Sequence, residues 1–100
     1  MIRHEVIIRI KPDVSRDQID RILRDIRALI CQIDGIESVR MGVNNTTAYR
    51  HAMIVVAIES EIALQRFLRH PLHARAVRLA ARMAESTAVA SYLVGSEHTR

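Results

Sequence analysis

Residues 2–11, IRHEVIIRIK, decide the fold. Successive side chains of a strand point to opposite sides. Ile2, His4, Val6, Ile8 and Ile10 therefore share one face, and Arg3, Glu5, Ile7, Arg9 and Lys11 the other. Such a strand covers a core on one side only. Two positions depart from the pattern: His4 is polar among aliphatics, and Ile7 is aliphatic among charges.

Working outward, Pro12 and Asp13 end the strand. Ser15, with Gln18 three residues on, forms a capping box that satisfies orphan helix N–H groups. Ile19, Ile22, Leu23, Ile26, Leu29, Ile30 and Ile33 then follow the period of an amphipathic helix, which Asp34-Gly35 is expected to close. Residues 36–43 read as a weaker strand, followed by the polar loop Asn44-Asn45-Thr46-Thr47. Residues 49–59, YRHAMIVVAIE, lose alternation, so that strand needs cover on both faces. Ser60 caps a helix carrying Ile62, Leu64, Phe67 and Leu68. Pro71 breaks it, because proline disfavours helical geometry at His70. Residues 72–85, with Leu72, Val77, Leu79 and Met83 among alanines, read as a further helix, and residues 87–94, TAVASYLV, as a last strand ending at Gly95.

The order β-α-β-β-α(α)-β is α+β and ferredoxin-like: a four-stranded antiparallel sheet with helices on one face. Residues 1–95 form a single domain and 96–100 a short tail. Ile7 and the apolar surplus of residues 49–59 imply that the open face is covered by a second copy, sheet against sheet.

With 100 residues, the chain has room for one core and none for a separate cofactor lobe. The longest apolar run, Ala52 to Ile58, is too short for a membrane helix, and Arg3, Glu5 and Arg9 interrupt any signal-peptide stretch. One cysteine, Cys31, fits the reducing cytoplasm; between Ile30 and Ile33 it is expected as an inert buried thiol. The net charge of +4 comes almost wholly from arginine. It concentrates in Arg66, Arg69, Arg75, Arg78 and Arg82, read as a solvated helix face. Aromatics are 3% of the chain, and Tyr49 at a strand edge is no stacking platform, so nucleic acid is not expected as a partner. His4, His51 and His73 lack metal-ligand spacing, and no glycine-rich phosphate loop exists. No metal or cofactor is expected.

Met1-Ile2-Arg3-His4, a strand ending in Lys11-Pro12, Asp34-Gly35-Ile36, Gly42-x-Asn44, Tyr49-x-His51 and His70-Pro71-x-His73 follow one another in this order. With these motifs the chain resembles the stress-responsive A/B barrel (Dabb) family over about residues 1–94. The resemblance implies a homodimer whose two sheets form a dimeric α+β barrel. In one plant branch, the polyketide cyclases, histidines at the start of the first strand and at the end of the His-Pro-x-His motif act as acid–base groups. Carried over, these are His4 and His73. That branch also has pocket tyrosines and an Asp-Tyr pair; here Phe67, Ile22, Leu23, Ile26 and Ser91-Tyr92 stand in the corresponding places.

Two functions follow as expectations. One is a homodimer that binds a small apolar or carbonyl-containing molecule between helices and sheet, with Val6, Ile8, Phe67 and His70 lining the pocket around His4 and His73. The other is a lyase of cyclase type that uses His4 and His73 as its acid–base pair.

Overall fold

Alternation in β1 (Ile2–Ile10) is realised as the sequence implies: Ile2, His4, Ile8 and Ile10 are buried and Ile7 is exposed. The structure, a computed structural model, describes residues 1–44 and 49–95. After β1 come α1 (Arg16–Ile30), β2 (Ile36–Asn44), β3 (His51–Ile58), α2 (Glu61–Arg69), α3 (Pro71–Ala81) and β4 (Ala84–Leu93). The strands form one antiparallel sheet in the order β2-β3-β1-β4, the ferredoxin-like arrangement. Asn44 belongs to β2; the rest of the expected loop, residues 45–47, and the tail, residues 96–100, lie outside the described residues.

The core lies between the sheet and the three helices. Ile8, Ile58, Val56 and Ala52 from the sheet meet Ile19 and Ile26 from α1, Phe67 from α2 and Ala76 from α3. The capping box is in place: Ser15 Oγ accepts from the Gln18 N–H at 3.1 Å, and Gln18 Oε1 accepts from the Ser15 N–H at 2.8 Å. Arg16 and Asp20 pair at 2.9 Å on the same helix. Ser60 likewise caps α2, its hydroxyl accepting from the Ala63 N–H at 3.1 Å.

Three expectations need correction. First, α1 ends at Ile30 rather than at Asp34. Ile33 stays buried in the turn that follows, so the apolar stripe outlasts the helix. Gly35 is still needed: its φ is +88°, and a Cβ there would stand 2.8 Å from the Ala63 Cβ, so it lets α2 approach the turn before β2. Second, Cys31 is exposed rather than buried, because it caps α1 beyond the last helical turn. Third, α3 stops at Ala81 and β4 begins at Ala84, three residues before the expected start of the last strand. Ala84-Glu85-Ser86 has helical propensity, but Ile10 pairs with Ala84 and the Lys11 N–H donates to the Met83 carbonyl; tertiary pairing overrides propensity. A bulge results, since Arg9 faces Ser86 and Ile10 faces Ala84, which leaves Glu85 unopposed. Within this chain β3 is covered on one face: Ala52, Ile54, Val56 and Ile58 are buried, while Met53 is 43% exposed and Val55 and Ala57 are half-buried.

The helices leave β4 bare, and every residue from Glu85 to Leu93 is exposed. Its helix-side positions, Val89 opposite Val6 and Ser91 opposite His4, form the floor of an open groove rather than part of the core.

Candidate functional site

Three rings from three elements converge on the helix side of the sheet. His4 enters from β1, where alternation turns it inward with Ile2 and Ile8; it is the one buried polar residue among those described. Phe67 comes from the last turn of α2 and is fully buried. His73 comes from the first turn of α3, three residues after the helix boundary at His70. Ring centroids are 5.4 Å apart for His4–Phe67, 4.5 Å for Phe67–His73 and 6.3 Å for His4–His73. Phe67 thus supplies an apolar wall against both imidazoles.

The polar requirement of the buried ring is met from β4, where Ser91 Oγ lies 2.6 Å from His4 Nδ1. The contact follows from the register, which places His4 directly opposite Ser91. Burial, and then the neighbouring His73, hold the His4 imidazole below the usual histidine range. Burial also lowers His73, and a hydrogen bond to the Leu68 backbone works in the other direction. Both rings are therefore neutral at pH 7, each able to accept a proton and to donate one.

Two adjoining spaces surround the pair. The inner one, of about 50 Å³, is walled by Ile26, Ile30, Ile54, Val56, Phe67 and Ala76 around His4 and His73. It has room for little more than a water molecule. The outer one is a groove of about 420 Å³ between α3 and β4, lined by Leu68, Val77, Ala80, Ala81, Val89 and Thr87, with Glu85 and Ser86 at its β4 side. That volume lies in the range of small-molecule sites. His4, Val6, His73, Val77 and Ala80 border both spaces.

Of the residues singled out in the sequence, His4, Val6, Phe67 and His73 come together here. Ile8 does not: it is wholly buried and lines neither space. His70 does not either. Its Nδ1 accepts from the Leu72 N–H at 3.0 Å, so the ring caps the N-terminus of α3. His51 pairs with Arg9 and Asn44 on the opposite face of the sheet, remote from His4 and His73. Sequence reasoning passed over Ala76, Val77, Ala80 and Ala81; the signal was the alanine content of α3, whose small side chains leave the groove its width. Ser91 carried no local signal, because its partner is 87 residues away.

Fold and site together define a small α+β domain of ferredoxin-like type, with a histidine pair at the inner end of an apolar groove. The chain belongs to the stress-responsive A/B barrel (Dabb) domain family, which matches residues 2–94. No curated protein matches it in sequence. Among solved structures, a protein from Arabidopsis thaliana is 18% identical with a TM-score of 0.84, covering 99% of this chain and 100% of that one. A hydroxynitrile lyase from Passiflora edulis is 21% identical with a TM-score of 0.80, covering 98% and 96%. A dimeric ferredoxin-like protein of unknown function from Thermobifida fusca is 21% identical with a TM-score of 0.80, covering 93% and 90%. At these identities the likeness establishes the fold. Among the described residues no helix is long and apolar enough to cross a membrane.

Proposed function

We propose that this protein is a homodimer that binds a small, uncharged, apolar or carbonyl-containing molecule in the groove between α3 and β4. The observation that carries the reading is the pairing of two neutral histidines, one buried and one half-buried, with a largely apolar groove. A ligand body of aliphatic or aromatic carbon replaces water along Leu68, Val77, Ala80 and Val89, and a carbonyl or hydroxyl at its inner end meets His4 and His73. An anionic ligand gains little, because neither imidazole carries charge at pH 7.

The dimer is supported by the open face of the sheet, where Ile7 and Met53 are 42% and 43% exposed beside Val55 and Ala57. The Thermobifida fusca structure of the same fold is described as dimeric. The setting in this reading is the reducing cytoplasm, in keeping with an exposed, unpaired Cys31.

A second reading makes the site a lyase of cyclase type. His73 acts as base and His4 as acid on a carbonyl-bearing substrate, the roles that positioned neutral imidazoles can fill. The separation of the two rings and their shared cavity favour it, as does the existence of a hydroxynitrile lyase on this fold.

Titration of histidine-labelled protein with a panel of aliphatic and aromatic aldehydes and ketones, followed by NMR, tests the binding reading. Saturable shifts at His4 and His73, abolished by filling the groove with Ala80→Trp, are expected. A folded protein that binds none of them overturns it. For the lyase reading, turnover unchanged in His4→Ala and His73→Ala excludes the roles given to these residues.

A further inference from the structure

We propose that Ser91 is a proton-relay residue, its hydroxyl carrying protons between solvent and the buried His4 ring. The inference deepens the acid–base reading of His4 and rests on it. His4 borders the groove but is only 5% exposed, so its ring has little direct contact with water. Ser91 lies on the bare edge strand, exposed to solvent, with its Oγ 2.6 Å from Nδ1. It is thus the one hydrogen-bond partner of His4 among the described side chains, and it is wet on its other side.

The rest of the ring's surroundings offer no equal route. Phe67 from α2 presents carbon. Val89 and Leu93, the positions of β4 on either side of Ser91 on that face, are aliphatic. His73 from α3 is the other titratable group facing His4, at 6.3 Å between centroids.

The choice of a hydroxyl matters chemically. A carboxylate at this position would hold Nδ1 protonated and favour the imidazolium; a carbonyl would fix one tautomer. A hydroxyl donates and accepts, so both neutral tautomers of His4 are satisfied. The transfer balances as follows. Nε2 takes a proton from a group in the cavity, and the Nδ1 proton passes to Ser91 Oγ as the hydroxyl's own proton leaves to water. One proton has moved from cavity to solvent, serine is regenerated, and His4 is left in its other tautomer. The reverse sequence delivers a proton.

Ser91→Thr and Ser91→Val have nearly the same shape and differ in the hydroxyl. In ligand-free protein with ¹⁵N-labelled histidine, exchange of the His4 ring N–H with water is measured by NMR along with the tautomer populations. Exchange in Ser91→Thr should match the unsubstituted protein, and in Ser91→Val it should slow by about tenfold or more, with His73 and the backbone amides unchanged. Exchange unchanged in a folded Ser91→Val overturns the proposal. Should that variant not fold, Ser91→Ala replaces it, and exchange that stays equal or rises overturns the proposal in the same way. Because no ligand is present, a failed search for ligands leaves this result standing, and a failed relay leaves the binding groove standing.

Discussion

The two sides of β1 are built from adjacent residues of one strand and have opposite exceptions. On the helix side, Ile2, Val6, Ile8 and Ile10 make an aliphatic row in which His4 is the anomaly. On the open side, Arg3, Glu5 and Arg9 make a charged row in which Ile7 is the anomaly. The first exception is a buried polar ring with one hydrogen bond, at the edge of a groove. The second is an exposed aliphatic beside Met53. In each row the residue that the surroundings do not require lies where the proposed function puts contact with something else: a ligand on the helix side, a second copy on the open side.

The largest effect should separate these sides by stability. Ile8→Ala removes a side chain with no exposure and should cost about 2–5 kcal/mol in urea denaturation. Ile7→Ala should cost less than about 1 kcal/mol at protein concentrations low enough to dissociate the proposed dimer. Equal costs there would erase the distinction between the faces. Next, Met53→Asp places a charge in the proposed interface; the dimer should weaken at least about a hundredfold, near 3 kcal/mol. Light scattering that shows an unchanged dimer would move the interface elsewhere.

A smaller effect sharpens the contrast between histidines. His70→Ala removes the α3 cap and should cost about 1 kcal/mol in thermal or urea unfolding, leaving the titration of His4 and His73 unaltered. The most modest effect is that of pH. Both His4 and His73 are lowered in the folded state, so the unfolded chain binds more protons just below its own histidine pKa of about 6.5. Their contribution is complete above that value and declines as pH falls through it toward the folded values. Unfolding free energies at pH 7.5 and 5.5 should differ less in His4→Gln/His73→Gln than in the unsubstituted protein.

Much of the fold was legible because local signals agreed with one another: alternation in β1, the Ser15–Gln18 box, and Pro71 after a helical stretch. Alternation alone marks His4 as the polar exception of its face, whereas its pairing with His73 came from the resemblance to the stress-responsive A/B barrel family. The errors fell where a distant partner decides. Ala84-Glu85-Ser86 joins the sheet only because Ile10 lies opposite, and no helical pattern shows that. The place of Cys31 depended on a helix end that the apolar run through Ile33 concealed. Ile8 shares the face of His4 but lies too deep to line the cavity. The hydroxyl of Ser91 depends on a register between the two ends of the described chain, which composition and periodicity do not encode.

His70 is at once the residue that closes α2 and the one that opens α3. The spacing from this elbow to His73 therefore acts as a phase setting. An α-helix turns about 100° per residue, so one residue inserted between Pro71 and His73 would swing the imidazole roughly a quarter-turn away from Phe67, while α3 could still form. The motif His70-Pro71-x-His73 is in this sense a count as much as a set of side chains: a single-residue insertion or deletion can uncouple the site from the fold where many substitutions would not.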